Sequence, residues 1–90
     1  MNVEHDSERR QFTVRTPEGE GQLVYREPGE GVIDITHTHV DRGLRGQGVG
    51  EALAEAAFSY ARERGVRVVP SCSFVREWVE KNPDQQDVLK

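Results

Sequence analysis

Arg45-Gly46-Gln47-Gly48-Val49-Gly50 stands between a run rich in β-branched residues that ends at Val40 and an Ala-rich segment that begins near Val49. Three glycines alternate where a strand hands over to a helix N-terminus. With no Cβ in the way, several backbone N–H groups at such a turn converge on one point. A helix start of this kind binds phosphate, because its unpaired N–H groups and its macrodipole both favour an anion.

Upstream of the turn, Val32-Ile33-Asp34-Ile35-Thr36-His37-Thr38-His39-Val40 has the composition of a strand, and it follows the turn signal Glu27-Pro28-Gly29-Glu30-Gly31. Alternation predicts two antiparallel strands before it, over residues 10–15 and 21–26, joined through Pro17-Glu18-Gly19. Downstream, Val49, Leu53, Ala56, Ala57 and Tyr60 repeat at helical spacing, and Arg62, Arg64 and Gly65 give a basic last turn and a stop. This predicts a helix over 48–64, with Phe58 off the main stripe and in contact with a neighbouring element. Val66 to Val69 then reads as a short strand closed by Pro70. Strand, helix and strand in succession predict a right-handed parallel crossover. Ser73 is placed to cap a second, shorter helix that ends near Asn82-Pro83, on which Phe74 and Trp78 share a packing face. The fold class is α/β (α+β): an antiparallel sheet that ends in a parallel strand pair, with two main helices.

The chain of 90 residues suffices for one small domain. Residues 10–90 are assigned to it, and residues 1–9 are expected to form a mobile polar tail in which His5 has no role. A hydrophobic share of 34% and a charged share of 31% suit a soluble domain, and no apolar run reaches the ~20 residues of a membrane span. The first ten residues lack the apolar segment of a secretory signal, so a cytoplasmic location and no membrane partner are expected. A formal charge of −4 argues against a nucleic-acid partner, while Arg42 and Arg45 make the glycine turn locally basic. Cys72 is the sole cysteine, which rules out an internal disulfide and a cysteine-built zinc site. His37 and His39 would need two further ligands that no spacing supplies, so no metal site is assigned.

Two familiar phosphate loops fail on their own residues. A nucleotide P-loop needs Lys and then Ser or Thr after its last glycine, whereas Glu51-Ala52 follows Gly50. A dinucleotide fingerprint needs a small residue three places after its second glycine, and Glu51 or Leu53 stands there. What remains, Arg45-x-x-Gly48-x-Gly50, resembles the pyrophosphate loop of the GCN5-related N-acetyltransferases. The resemblance narrows with Asp34 to Val40, Leu44 to Gly50, Val68 to Val75 and Asn82-Pro83 in one order. Together these are similar to the small, truncated YjdJ-type subgroup of that superfamily, and the likeness covers the chain from Phe12 onward.

The resemblance implies a compact minimal acetyltransferase fold with the parallel strands splayed apart. It implies acetyl-coenzyme A as donor, its pyrophosphate over the N–H groups of Arg45, Gly46, Gln47, Gly48, Val49, Gly50 and Glu51, and its pantetheine arm near Val40. Asp41 and Glu51 depart from a purely basic wall. The elements that shape the acceptor site of larger relatives are missing, so the acceptor amine is unassigned. The resemblance further implies Cys72 and His37 as the catalytic pair, the imidazole taking the proton of the thiol. Cysteine is also a common packing residue. Direct attack by the amine, with Glu30, Asp34 or Glu77 as base, stays open. The leading expectation is an acetyl-coenzyme A-dependent N-acetyltransferase, monomeric or weakly dimeric through Phe58 and Trp78. The alternatives are a non-catalytic coenzyme A-binding sensor or partner subunit, and a small interaction domain in which the glycines serve packing.

Overall fold

A computed structural model describes residues 1–90. Five strands, β1 (Glu4–Asp6), β2 (Gln11–Thr16), β3 (Gly19–Gly29), β4 (Val32–Val40) and β5 (Arg67–Pro70), form one sheet in chain order. The first four are antiparallel neighbours, and β4 pairs with β5 in parallel. Helix α1 (Val49–Arg64) makes the crossover between β4 and β5, and α2 (Ser73–Lys81) follows β5. The α/β class, the parallel pair and the two helices are as the sequence predicts.

Alternation decides which residues are buried. Phe12 and Val14 on β2, Leu23 and Tyr25 on β3, Ile33 and Ile35 on β4 and Val68 on β5 point to one face, where they join Leu53, Ala57 and Phe58 of α1 and Val75 and Trp78 of α2 in a single core. The opposite face carries no helix, and Thr13 is its one buried residue. Phe58 meets the Trp78 ring at 5.1 Å, the contact with a neighbouring element expected of it. Because both rings are buried in this way, they are not available for pairing two copies of the chain, and that basis for a dimer is withdrawn.

Two boundaries are corrected. Residues 4–6, placed in a polar tail by their composition, form an edge strand registered on Gln11 to Thr13. His5 anchors it: its ring stacks on Phe12 at 4.1 Å and its Nε2 lies 2.7 Å from the Tyr25 hydroxyl. At α2 the cap is Cys72 rather than Ser73, which is already the first helical residue. The C-terminal segment also docks. Val88 is buried, and the Lys90 N–H donates to the Val68 carbonyl at 2.9 Å, extending the edge beyond β5.

β4 contains one irregularity on which the site depends. Val24 registers with His37 and Tyr25 with Ile35, so Thr36 is an extra residue. This β-bulge resets the alternation. Thr38 and Val40, opposite Leu23 and Gly21, therefore join Ile33 and Ile35 on the helix-covered face, while His37 and His39 lie on the open one.

Candidate functional site

A short 3-10 turn at Arg42–Leu44 leads from β4 into the glycine segment, held by the buried Leu44 side chain. Gly48 is the residue before α1 and takes a left-handed conformation at φ 76°, which glycine adopts without a steric penalty. The first bond of the helix runs from the Ala52 N–H to the Gly48 carbonyl at 3.0 Å. The N–H groups of Val49, Gly50 and Glu51 precede it and have no carbonyl within the helix to meet. No side chain caps this end. A Cβ added at Gly46 or Gly48 would meet nothing within 4 Å, so the space over the turn is open.

That space is part of a cavity of about 460 Å³, within the range of small-molecule sites. Among the residues assigned to the donor, Val40, Arg45, Gly46, Gly48, Val49, Gly50 and Glu51 line it, and Gln47 does not. The Gln47 amide instead folds back to donate to the Gly43 carbonyl at 3.3 Å. Of the two acidic departures, Asp41 turns away: its carboxylate accepts from the Glu20 N–H at 2.8 Å and lies 3.1 Å from His39 Nε2. Those two partners, the Glu20 amide first, hold its carboxyl below the usual range. Glu51 stays on the wall.

The far wall is Phe74, from the first turn of α2. Its ring lies so close to α1 that a Cβ at Gly50 would come within 2.6 Å of it. Gly50 is thus required for the approach of the two helices as well as for the turn. Thr38 forms the floor, and behind it sits Cys72, whose thiol donates to the Thr38 hydroxyl at 3.5 Å. Burial pushes this thiol up. The Thr38 hydroxyl and the N–H groups of Val75, Phe74 and Thr38 more than offset that, and the thiol lies below its ordinary value.

The structure does not bring His37 to Cys72. The bulge at Thr36 turns His37 to the open face, where its ring stacks with His39 at 6.5 Å, and the residue that meets the thiol is Thr38. Thr38, His39, Leu44 and Phe74 also line the cavity and are not among the residues the sequence assigns to it. Thr38 reaches the site through the bulge, which carries no local sequence signal, and Phe74 reads as ordinary helix packing.

The end of the β4–β5 pairing, the uncapped, glycine-lined start of α1 and the cavity over it lie together at one end of the sheet. Residues 11–88 match the sequence profile of the GCN5-related N-acetyltransferases, and the chain belongs to that family. The chain is 36% identical over 85 residues to protein NATD1 of Bos taurus, covering 92% of this chain and 75% of that one. With protein NATD1 of Danio rerio the identity is 32% over 88 residues, covering 96% and 80%. A GCN5-like candidate N-acetyltransferase of Staphylococcus aureus, solved by NMR in solution, superposes with a TM-score of 0.79 at 32% identity, over 99% of this chain and 87% of that one.

Proposed function

We propose that this protein transfers an acetyl group from acetyl-coenzyme A to an amine, and that Cys72 carries the group on the way. The observation that supports this most directly is the uncapped start of α1 at one end of the cavity and the Thr38-bonded thiol behind its floor at the other. The diphosphate of the donor would accept hydrogen bonds from the N–H groups of Val49 to Glu51, with Arg45 beside it. Past Ile35 the edge of β4 has no β5 residue to pair with, and apart from the Thr38 N–H, which faces the Cys72 thiol, its backbone groups would be open to the amides of a pantetheine arm laid along them.

In the transfer itself, the Cys72 thiolate attacks the thioester carbonyl carbon. The new C–S bond forms as the bond to coenzyme A breaks, and the leaving thiolate takes up a proton. An amine then attacks the acetyl-cysteine, the C–N bond forms, Cys72 leaves as thiolate, and the amine proton goes to solvent. His37 is left out of this scheme because it faces the other side of the sheet. The helix N–H groups and the Thr38 hydroxyl favour the thiolate in the place where an imidazole was expected to assist.

Intact mass after incubation with acetyl-coenzyme A tests the scheme. An acetyl adduct is expected on the wild type and none on Cys72→Ala, with coenzyme A binding retained. An adduct that persists in the variant removes Cys72 from the path, and binding without acetyl transfer to any amine favours the sensor.

A further inference from the structure

A second cavity lies at the opposite end of α1 from the glycine turn. It encloses about 430 Å³, again within the range of small-molecule sites, between the β3–β4 hairpin and the last turns of the helix. From Val49 to Arg64 the helix runs about 22 Å, so a molecule held here takes no part in chemistry at the turn. On the hairpin side, Glu27 and Pro28 of β3 stand against the single Ile33 of β4, a bulge that bends the strand. A Cβ added at Gly29 or Gly31, both of which line the cavity, would meet nothing within 4 Å, so this wall is uncrowded.

The floor is apolar. Val32, Tyr60 and Val66 are half-buried there, packed on the core from below and uncovered above. Three charged side chains stand around it, Glu27, Glu30 and Arg64. Glu27 is already engaged, accepting from Arg10 Nε at 2.8 Å. Glu30 and Arg64 are not: the ion pairs of the molecule lie elsewhere, and the two do not pair with each other. Arg64 is nevertheless oriented, because its guanidinium lies over the Tyr60 ring, 5.6 Å from the centroid. Stacking occupies the face of the guanidinium and leaves its N–H groups, which lie in its plane, to meet a carboxylate.

An unpaired carboxylate, an oriented guanidinium and an apolar floor in one cavity complement a ligand with one cation, one anion and a hydrocarbon body. An α-amino acid joins the three at a single carbon. A peptide terminus offers one charge, and a fatty acid or an alkyl amine leaves one of the two protein charges unanswered. We propose that this cavity binds a free α-amino acid with an apolar side chain, its carboxylate on Arg64, its ammonium on Glu30 and its side chain against Val32, Tyr60 and Val66. The site is separate from the donor cavity, and its occupancy does not depend on the acetyltransferase reading.

The test is an NMR titration of the 15N-labelled full chain with L-leucine and with its two halves, 3-methylbutylamine, which lacks the carboxylate, and 4-methylpentanoate, which lacks the ammonium. Leucine is expected to shift the amides of residues 29–33 and 64–66. It should bind at least about tenfold more tightly than either half, since each half leaves one charge-assisted contact unmade. Glu30→Gln and Arg64→Gln should each weaken leucine binding about tenfold. Both side chains are exposed, so both variants should keep the wild-type spectrum away from the cavity. No leucine shifts at these residues in the wild type overturns the proposal. So do halves that bind as well as leucine, which marks a single charge acting on a solvated surface, and so does a leucine affinity unchanged in either variant.

Discussion

At the scale of single residues, two glycines only two positions apart do different work. Gly48 holds a positive φ with open space where a Cβ would go, whereas Gly50 gives up its Cβ to the Phe74 ring. Replacing Gly48 by Val puts a β-branched side chain into the space over the N–H groups and forces it into a left-handed conformation, a strain of roughly 1–3 kcal/mol. Loss of binding in that variant therefore mixes two causes. Gly48→Asn separates them, because Asn tolerates the left-handed region. Calorimetry should show at least about a tenfold loss of coenzyme A affinity in both variants, and thermal melting should show a clear loss of stability in Gly48→Val alone. Unchanged affinity in Gly48→Asn would show that the diphosphate does not approach this turn.

At the scale of elements, β1 shows how a strand of three residues is held to a sheet edge. Its backbone pairs with β2, and the His5 ring is wedged among Phe12, Tyr25 and Tyr60, at 4.1 Å from the first and 4.4 Å from the last. Burial lowers the His5 pKa, with Asp6 opposing and Arg64 assisting. The same burial, with Tyr60 and Glu27 adding to it, raises the Tyr25 hydroxyl to about 12, so Tyr25 stays protonated and able to donate to a neutral His5. A histidine that binds its proton less well when folded makes the unfolded chain the better proton acceptor. Stability should then be fully present above the ordinary histidine value of about 6.5 and fall as pH drops below it. Urea melts of the wild type between pH 8 and 5 should show this slope, and His5→Gln should flatten it. A slope unchanged by the substitution would assign the effect to another group.

This strand also marks the limit of what the chain displays as text. β4, α1 and the parallel crossover announce themselves through composition, period and a glycine stop, since each depends on neighbours in sequence. β1 does not, because a three-residue polar segment becomes a strand only when Phe12, Tyr25 and Tyr60 arrive from elsewhere to receive His5. The glycine turn of the site was legible for the same local reason as α1. The partner of Cys72 was not. Ile33, Ile35, His37 and His39 read as one uninterrupted face, and only pairing with β3 reveals the extra residue at Thr36 that exchanges His37 for Thr38.

At the scale of the whole molecule, the shortest dimension is 19 Å, the thickness of one sheet and one layer of helices. A two-layer protein of this size has one interface to bury, and its stability rests on few large contacts. Trp78 is the seam of that interface: it packs against Phe58 of α1 from α2, the helix that also places Cys72 and Phe74. Trp78→Ala leaves a cavity at a cost of roughly 3–5 kcal/mol, against a total of about 5–15 kcal/mol for domains in general. Denaturant melts should place its midpoint far below that of the wild type. Because α2 supplies the far wall and the thiol, coenzyme A should stabilise the wild type in the same melts and do so weakly or not at all in the variant. A variant that lost several kcal/mol and yet gained as much from coenzyme A as the wild type would show that the donor is held by α1 and β4 alone, and that the position of α2 matters only after binding.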